Sequence, residues 1–188
     1  TTGQTKLNHA LFNAAKNINN PSINFKLNDA MDYKKGETIS LAFAVSTEKT
    51  RIQSFSDQFF VHYEVYAQIL VFDFSEMKVL ATFPIRIQYS EVLNQKPSEA
   101  HSLDMFRKIY LEPGFKANIV DMWVERMNSI EIKESFGNYI RISSVEVPPE
   151  TLKFVPAKFS QNKSFNKQVA QLLEISLSTN QNVPVVPY

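Results

Sequence analysis

The sequence predicts an α+β fold, with a mostly antiparallel sheet built around a long central hairpin (59–89) and helices packed on one face. Three observations carry this. Two adjacent runs alternate strictly between large apolar and other residues on either side of a short polar turn. Several segments repeat their apolar residues at helical spacing. The order of elements is helix, strand, hairpin, helix pair, strand, helix and extended tail, which suits an antiparallel sheet better than a regular β–α alternation.

The hairpin is the clearest element. From 59 to 71 the odd positions are Phe59, Val61, Tyr63, Val65, Ala67, Ile69 and Val71. The return run places Val79, Ala81, Phe83, Ile85, Ile87 and Tyr89 on one face. A period of two puts each set on one side of a sheet, and β-branched and aromatic residues favour strands. Residues 73–78 supply the turn. Pro84 cannot donate a ladder hydrogen bond, so it predicts an edge strand or a bulge.

The flanking elements follow. Residues 5–18 form a helix with Leu7, Leu11, Ala14, Ala15 and Ile18 on one face, stopped by Asn19-Asn20-Pro21. Residues 23–37 are loop, and 38–46 a strand with Ile39, Leu41, Phe43 and Val45 inward. Residues 47–57 are a polar connection into which Ile52 can continue a bent strand. A helix over 98–111 is capped by Ser98 and buries Ala100, Leu103, Phe106 and Tyr110, with Met105 and Ile109 beside them. A second, over 118–130, is capped by Asn118 and buries Ile119, Met122, Trp123, Met127 and Ile130. Gly137-Asn138 is a turn, 139–147 a strand, and 151–156 a short extended piece. The last helix, 164–178, starts at Ser164 and buries Phe165, Val169, Leu172, Leu173 and Leu177. The apolar tail 183–188 must dock on its own sheet, on a partner or on further chain. The whole reads as one domain: a helix and loop (1–37), a sheet with an inserted helix pair (38–147), and a helix and tail (148–188).

Composition narrows function. With 188 residues and 44% hydrophobic content, the chain can bury an ordinary core. A formal charge of +1 with interspersed signs argues against nucleic acid as partner. The absence of cysteine excludes disulfides, thiolate metal sites and cysteine nucleophiles. No apolar run reaches the ~18 residues of a membrane span. The chain opens Thr1-Thr2-Gly3 without an initiator Met, as a mature product or fragment would. Four scattered glycines and the lack of nucleophile or zinc-binding motifs imply no nucleotide, cofactor or metal and argue against an enzyme.

Candidate binding residues are Phe60, His62, Glu64, Tyr66 and Phe72 on the even face of the hairpin, Pro84 at the predicted edge, and Val185 and Tyr188 in the tail. His62 and Glu64 stand two apart on a strand and point the same way, as acid–base pairs do. The large apolar groups beside them predict that this face is covered by a helix or a partner. Asp121 and Glu125 share a helix face and read as an exposed acidic edge, and Asn162-Lys163-Ser164 matches a glycosylation sequon. The pattern Leu70-Val71-Phe72-Asp73, then Lys78-Val79-Leu80-Ala81, is similar to the hairpin of many exported bacterial domains, which implies a periplasmic or extracellular setting over a cytoplasmic one.

The leading expectation is a non-catalytic module that binds a protein partner or self-associates, by strand addition at an edge. A carrier of a small apolar ligand between sheet and helices is the alternative, and a hydrolase or isomerase using His62 and Glu64 a third.

Overall fold

The structure, a computed structural model, describes residues 5–23, 39–73, 78–131, 139–157, 164–180, 183–186 and 188. The predicted loop over 24–37, the hairpin turn at 74–77, the turn at Gly137-Asn138 and most of the sequon lie outside the described residues. The fold is α+β, with a three-stranded antiparallel sheet in the order β1-β2-β3 and helices alongside. The strands are β1 (Ile39–Phe55), β2 (Gln58–Asp73) and β3 (Lys78–Leu93). Among the described residues β2 is the central strand and β3 has one strand neighbour, which leaves a side where Pro84 can be accommodated. Among the described residues, no helix is long and apolar enough to cross a membrane.

β1 corrects the expected connection at 47–57. The strand runs 17 residues, to Phe55, and turns into β2 through Ser56-Asp57 alone. Ser56 takes a φ of 53°, the left-handed region that two-residue hairpin turns demand. No inward apolar row marks β1 either. Ile39 and Val45 are each 39% exposed, and among the described residues β1 has a strand neighbour on one side.

The chain divides into two compact units. The first holds Thr1–Tyr33, Ala44–Ala67 and Ile85–Ile132. Its described helices are α1 (Lys6–Ala15), α2 (Glu99–Leu111) and α3 (Ile119–Ser129), which pack on one another. Ser98 and Asn118 cap α2 and α3 as predicted; the Asn118 side-chain oxygen accepts from the amides of Val120 and Asp121 at 2.8 and 3.0 Å. Gly114, with φ 76°, turns the chain between them. The core of this unit joins Val61, Tyr63 and Val65 of β2 and Ile85 and Ile87 of β3 with Met105, Ile109, Ile119, Trp123 and Met127 of the helices. Burial of each such side chain contributes about 1.5–3 kcal/mol. Tyr63 meets Phe106 edge-on at 5.6 Å between ring centroids, tying β2 to α2. The buried stripe of α2 is Met105 and Ile109; Leu103, expected inside, is 62% exposed.

The second unit holds Lys34–Phe43, Gln68–Pro84 and Lys133–Tyr188. The strand expected over 139–147 shrinks to β4 (Ile140–Arg141), which pairs in parallel with β5 (Val185–Val186). The extended piece expected at 151–156 is replaced at its start by a helical turn, α4 (Pro149–Leu152), which Pro149 opens from a position where its missing N–H costs nothing. The last helix, α5 (Ser164–Asn180), buries Ala170, Glu174 and Ser178, four residues apart. Leu172 and Leu173, expected inside, are each 47% exposed.

Candidate functional site

The polar cluster of the first unit grows from the even positions of β2. Alternation aims Val61, Tyr63 and Val65 into the core and His62 and Glu64 to the other side. Glu64 is 8% exposed, so its charge needs partners. Among the described residues it has two, one from each neighbouring strand. Arg51 of β1 donates from Nη2 to Oε2 at 3.2 Å, and Arg86 of β3 donates from Nε to Oε1 at 2.6 Å. Both carboxylate oxygens are thus held by guanidinium groups, which makes Glu64 an anchor for cations rather than a base poised for proton transfer.

His62 lies beside this triad. Its Nδ1 is 2.8 Å from Ser90 Oγ, and its Nε2 is 3.3 Å from the amide nitrogen of Gln88. An Nε2 that accepts from Gln88 leaves Nδ1 to donate to Ser90, which is the neutral ring. Burial, foremost, and then the positive charges of Arg51 and Arg86 hold its pKa below the ordinary 6.5, against the opposing pull of Glu64.

A second cluster sits on the core side, at the join of β2, β3 and α2. One oxygen of Glu91 accepts from the Tyr63 hydroxyl at 3.0 Å and from His101 Nε2 at 2.7 Å. Burial first, and then the Glu91 hydrogen bond, push the Tyr63 phenol up to about 12, so it stays protonated and acts as a donor. Nearby, Tyr110 of α2 donates to Glu48 of β1, and its pKa too is raised, by burial first and then by Glu48. These bonds clamp α2 to one face of the sheet.

Of the residues singled out from sequence, only His62 and Glu64 enter the polar cluster. Phe60 is half-buried and Tyr66 is 3% exposed on the same alternation. On this polar side Glu64 and Tyr66 are buried, whereas Gln88 and Ser90 of β3 are exposed. Phe72, Pro84, Val185 and Tyr188 belong to the second unit. Val185 is 1% exposed there, and its carbonyl accepts from the Thr82 hydroxyl. The tail is docked within its own unit: Pro184 O accepts from the Ile140 amide at 3.0 Å, and Glu174 Oε1 from the Tyr188 amide at 2.6 Å. Arg51, Arg86, Gln88 and Ser90 were missed in the sequence. The one available signal was the same-face alternation of Arg86, Gln88 and Ser90 along the return strand.

Among the described residues, no group of three or more His, Asp or Glu is arranged to hold a metal ion. Comparison with protein-family models, with curated proteins and with solved structures finds no match for this chain.

Proposed function

We propose that the chain is a non-catalytic binding module, and that the first unit offers a protein partner the outer edge of β1 and the polar sheet face beside it. The observation that carries this reading is β1 itself. Among the described residues it has one strand neighbour, β2, and it exposes Ile52 at 41% and Phe55 at 62%. An edge strand presents a row of main-chain donors and acceptors to which an extended segment can add. The docked tail shifts this reading from the tail to β1. The polar cluster supports binding over catalysis, since the carboxylate of Glu64 is engaged by two cations. An exported, envelope-associated setting remains part of the proposal and rests on sequence alone.

Site-specific photo-crosslinking tests it. A photoreactive residue at Ile52 or Gln88 is expected to capture one discrete protein in the source cell, whereas the same group at Leu103, 62% exposed on α2, captures none. Equal labelling from all three positions, or none from Ile52 and Gln88, overturns the reading.

A further inference from the structure

The tail of the second unit fills a groove built by the chain before it, and its contacts run in order along the segment. Pro184 O accepts from the Ile140 amide at 3.0 Å, and β4 sets Ile140 against Val185 and Arg141 against Val186. Val185 is 1% exposed, and its carbonyl accepts from the hydroxyl of Thr82 on β3, itself 1% exposed. The Tyr188 amide donates to Oε1 of Glu174 on α5 at 2.6 Å, and Glu174 is 2% exposed. Two buried polar side chains and a main-chain amide thus hold main-chain groups of an extended segment, and one buried position takes a β-branched side chain.

We infer that this groove takes the tail of a second copy, so that two chains exchange residues 183–188. The inference concerns the second unit and stands apart from the β1 edge. The groups that meet the tail lie on β3, β4 and α5, all earlier in the chain, so the same bonds form whichever copy supplies the segment. The hold is local. Pairing with β4 spans two residues, which lets the tail leave while the three-stranded sheet stays folded. The sequence keeps a released tail ready to dock again. Val183 and Val186 each precede a proline, which disfavours the helical region, so the segment stays extended instead of prolonging α5. An extended segment loses little freedom on docking. Its valines drive it out of water and into a groove, and as concentration rises the groove of a neighbouring copy competes with its own.

Cysteine pairing tests the exchange, since the chain has no cysteine of its own. Arg141 and Val186 are register partners on adjacent strands, a separation that a disulfide spans. A copy carrying Arg141→Cys is mixed with a tagged copy of different mass carrying Val186→Cys, and the mixture is air-oxidised under native conditions at raised concentration. The mixed disulfide is expected to form at least about tenfold faster than between Arg141→Cys and a Leu103→Cys control, because exchange raises the effective concentration of the two thiols. Leu103 is 62% exposed on α2, so its thiol is accessible. A synthetic peptide spanning 180–188, in excess, is expected to slow the mixed disulfide, and the same peptide carrying Val185→Asp is not. Circular dichroism confirms that the variants fold. Native mass spectrometry of the unsubstituted chain is expected to show a dimer fraction that grows with concentration. A mixed disulfide no faster than the control, or one that the tail peptide leaves unchanged, overturns the inference, and so does an unsubstituted chain that stays monomeric at every concentration.

Discussion

Arg86 donates from Nε to Oε1 of Glu64 at 2.6 Å, across the β2–β3 pair. With Arg51 on the opposite flank, a carboxylate 8% exposed is the hub that holds two cations side by side. Removing the hub takes away the carboxylate that stands between two like charges, which costs more than the pair contributes. Glu64→Ala is expected to lower unfolding free energy by about 2–3 kcal/mol and Glu64→Gln by about 1–2 kcal/mol, discounted for the partial exposure of both arginines. Urea melts measure both. A double Glu64→Gln, Arg86→Gln variant should lose less than the sum of the single changes.

The same charges set the titration of His62. Its folded pKa lies below 6.5, with burial the leading cause, so the folded state binds its proton less readily than the unfolded chain. The stability contribution is complete above 6.5 and is lost as pH falls through the folded value. NMR titration of the ring should place the midpoint below that of an unfolded reference. Glu64→Gln should lower it further and Arg51→Gln should raise it, since Glu64 pulls upward and Arg51 downward. Movement of either variant in the other direction contradicts the described geometry.

Asn20 closes a helix end from a distance. Its side-chain amide donates to the carbonyls of Met127 and Ile130, each at 2.7 Å, and Asn20 is 7% exposed. These carbonyls end α3 and would otherwise lack partners. Asn20→Ala is expected to cost about 2–3 kcal/mol, from two lost bonds and the acceptors left buried. Asn20→Asp should cost more, because it faces two carbonyl oxygens with an acceptor. Thermal unfolding of the two variants ranks them.

Glu174 plays a similar part in the second unit. It is 2% exposed on α5, and it accepts the Tyr188 amide. Glu174→Ala is expected to free the tail before it unfolds the helix. Hydrogen exchange should then quicken at the Tyr188 amide, and at the Ile140 amide that bonds Pro184. Unchanged exchange at both sites would show that the β4–β5 pairing holds the tail without Glu174.

What the sequence makes legible depends on whether burial follows hydrophobicity. It does in α3, where Ile119, Trp123, Met127 and Ile130 are all buried as their spacing predicts. It does on β2, whose odd residues from Val61 to Val71 are 0% exposed. It does not in α5, because periodicity rewards Leu172 and Leu173 and is blind to a stripe of Ala170, Glu174 and Ser178, whose small and hydrogen-bonding side chains form the buried face. The first half of β1 was legible as the strand over 38–46, but its continuation from Thr47 to Phe55 hid for a related reason: a stretch rich in Thr, Glu, Lys and Arg has little apolar rhythm, and pairing with β2 defines it. His62 and Glu64 were legible as neighbours on one strand. Arg51 and Arg86 were not, since their approach to Glu64 depends on register, and the register of β1 is fixed by a two-residue turn without glycine.

That turn offers the last test. Ser56 holds φ at 53° as the first of the two residues joining β1 to β2. A Cβ in this region is strained by about 1–2 kcal/mol, and glycine relieves it while adding about 0.5–1 kcal/mol of unfolded-state entropy. Ser56→Gly is therefore expected to stabilise the fold modestly, by up to about 1 kcal/mol, whereas Ser56→Val should destabilise it by at least that much, because a β-branched side chain tolerates positive φ least. Denaturant midpoints for the pair give the sign. Since the turn sets which residue of β1 faces Glu64, Ser56→Val should also weaken the Arg51–Glu64 contact and raise the His62 titration midpoint, while Ser56→Gly leaves that midpoint unchanged.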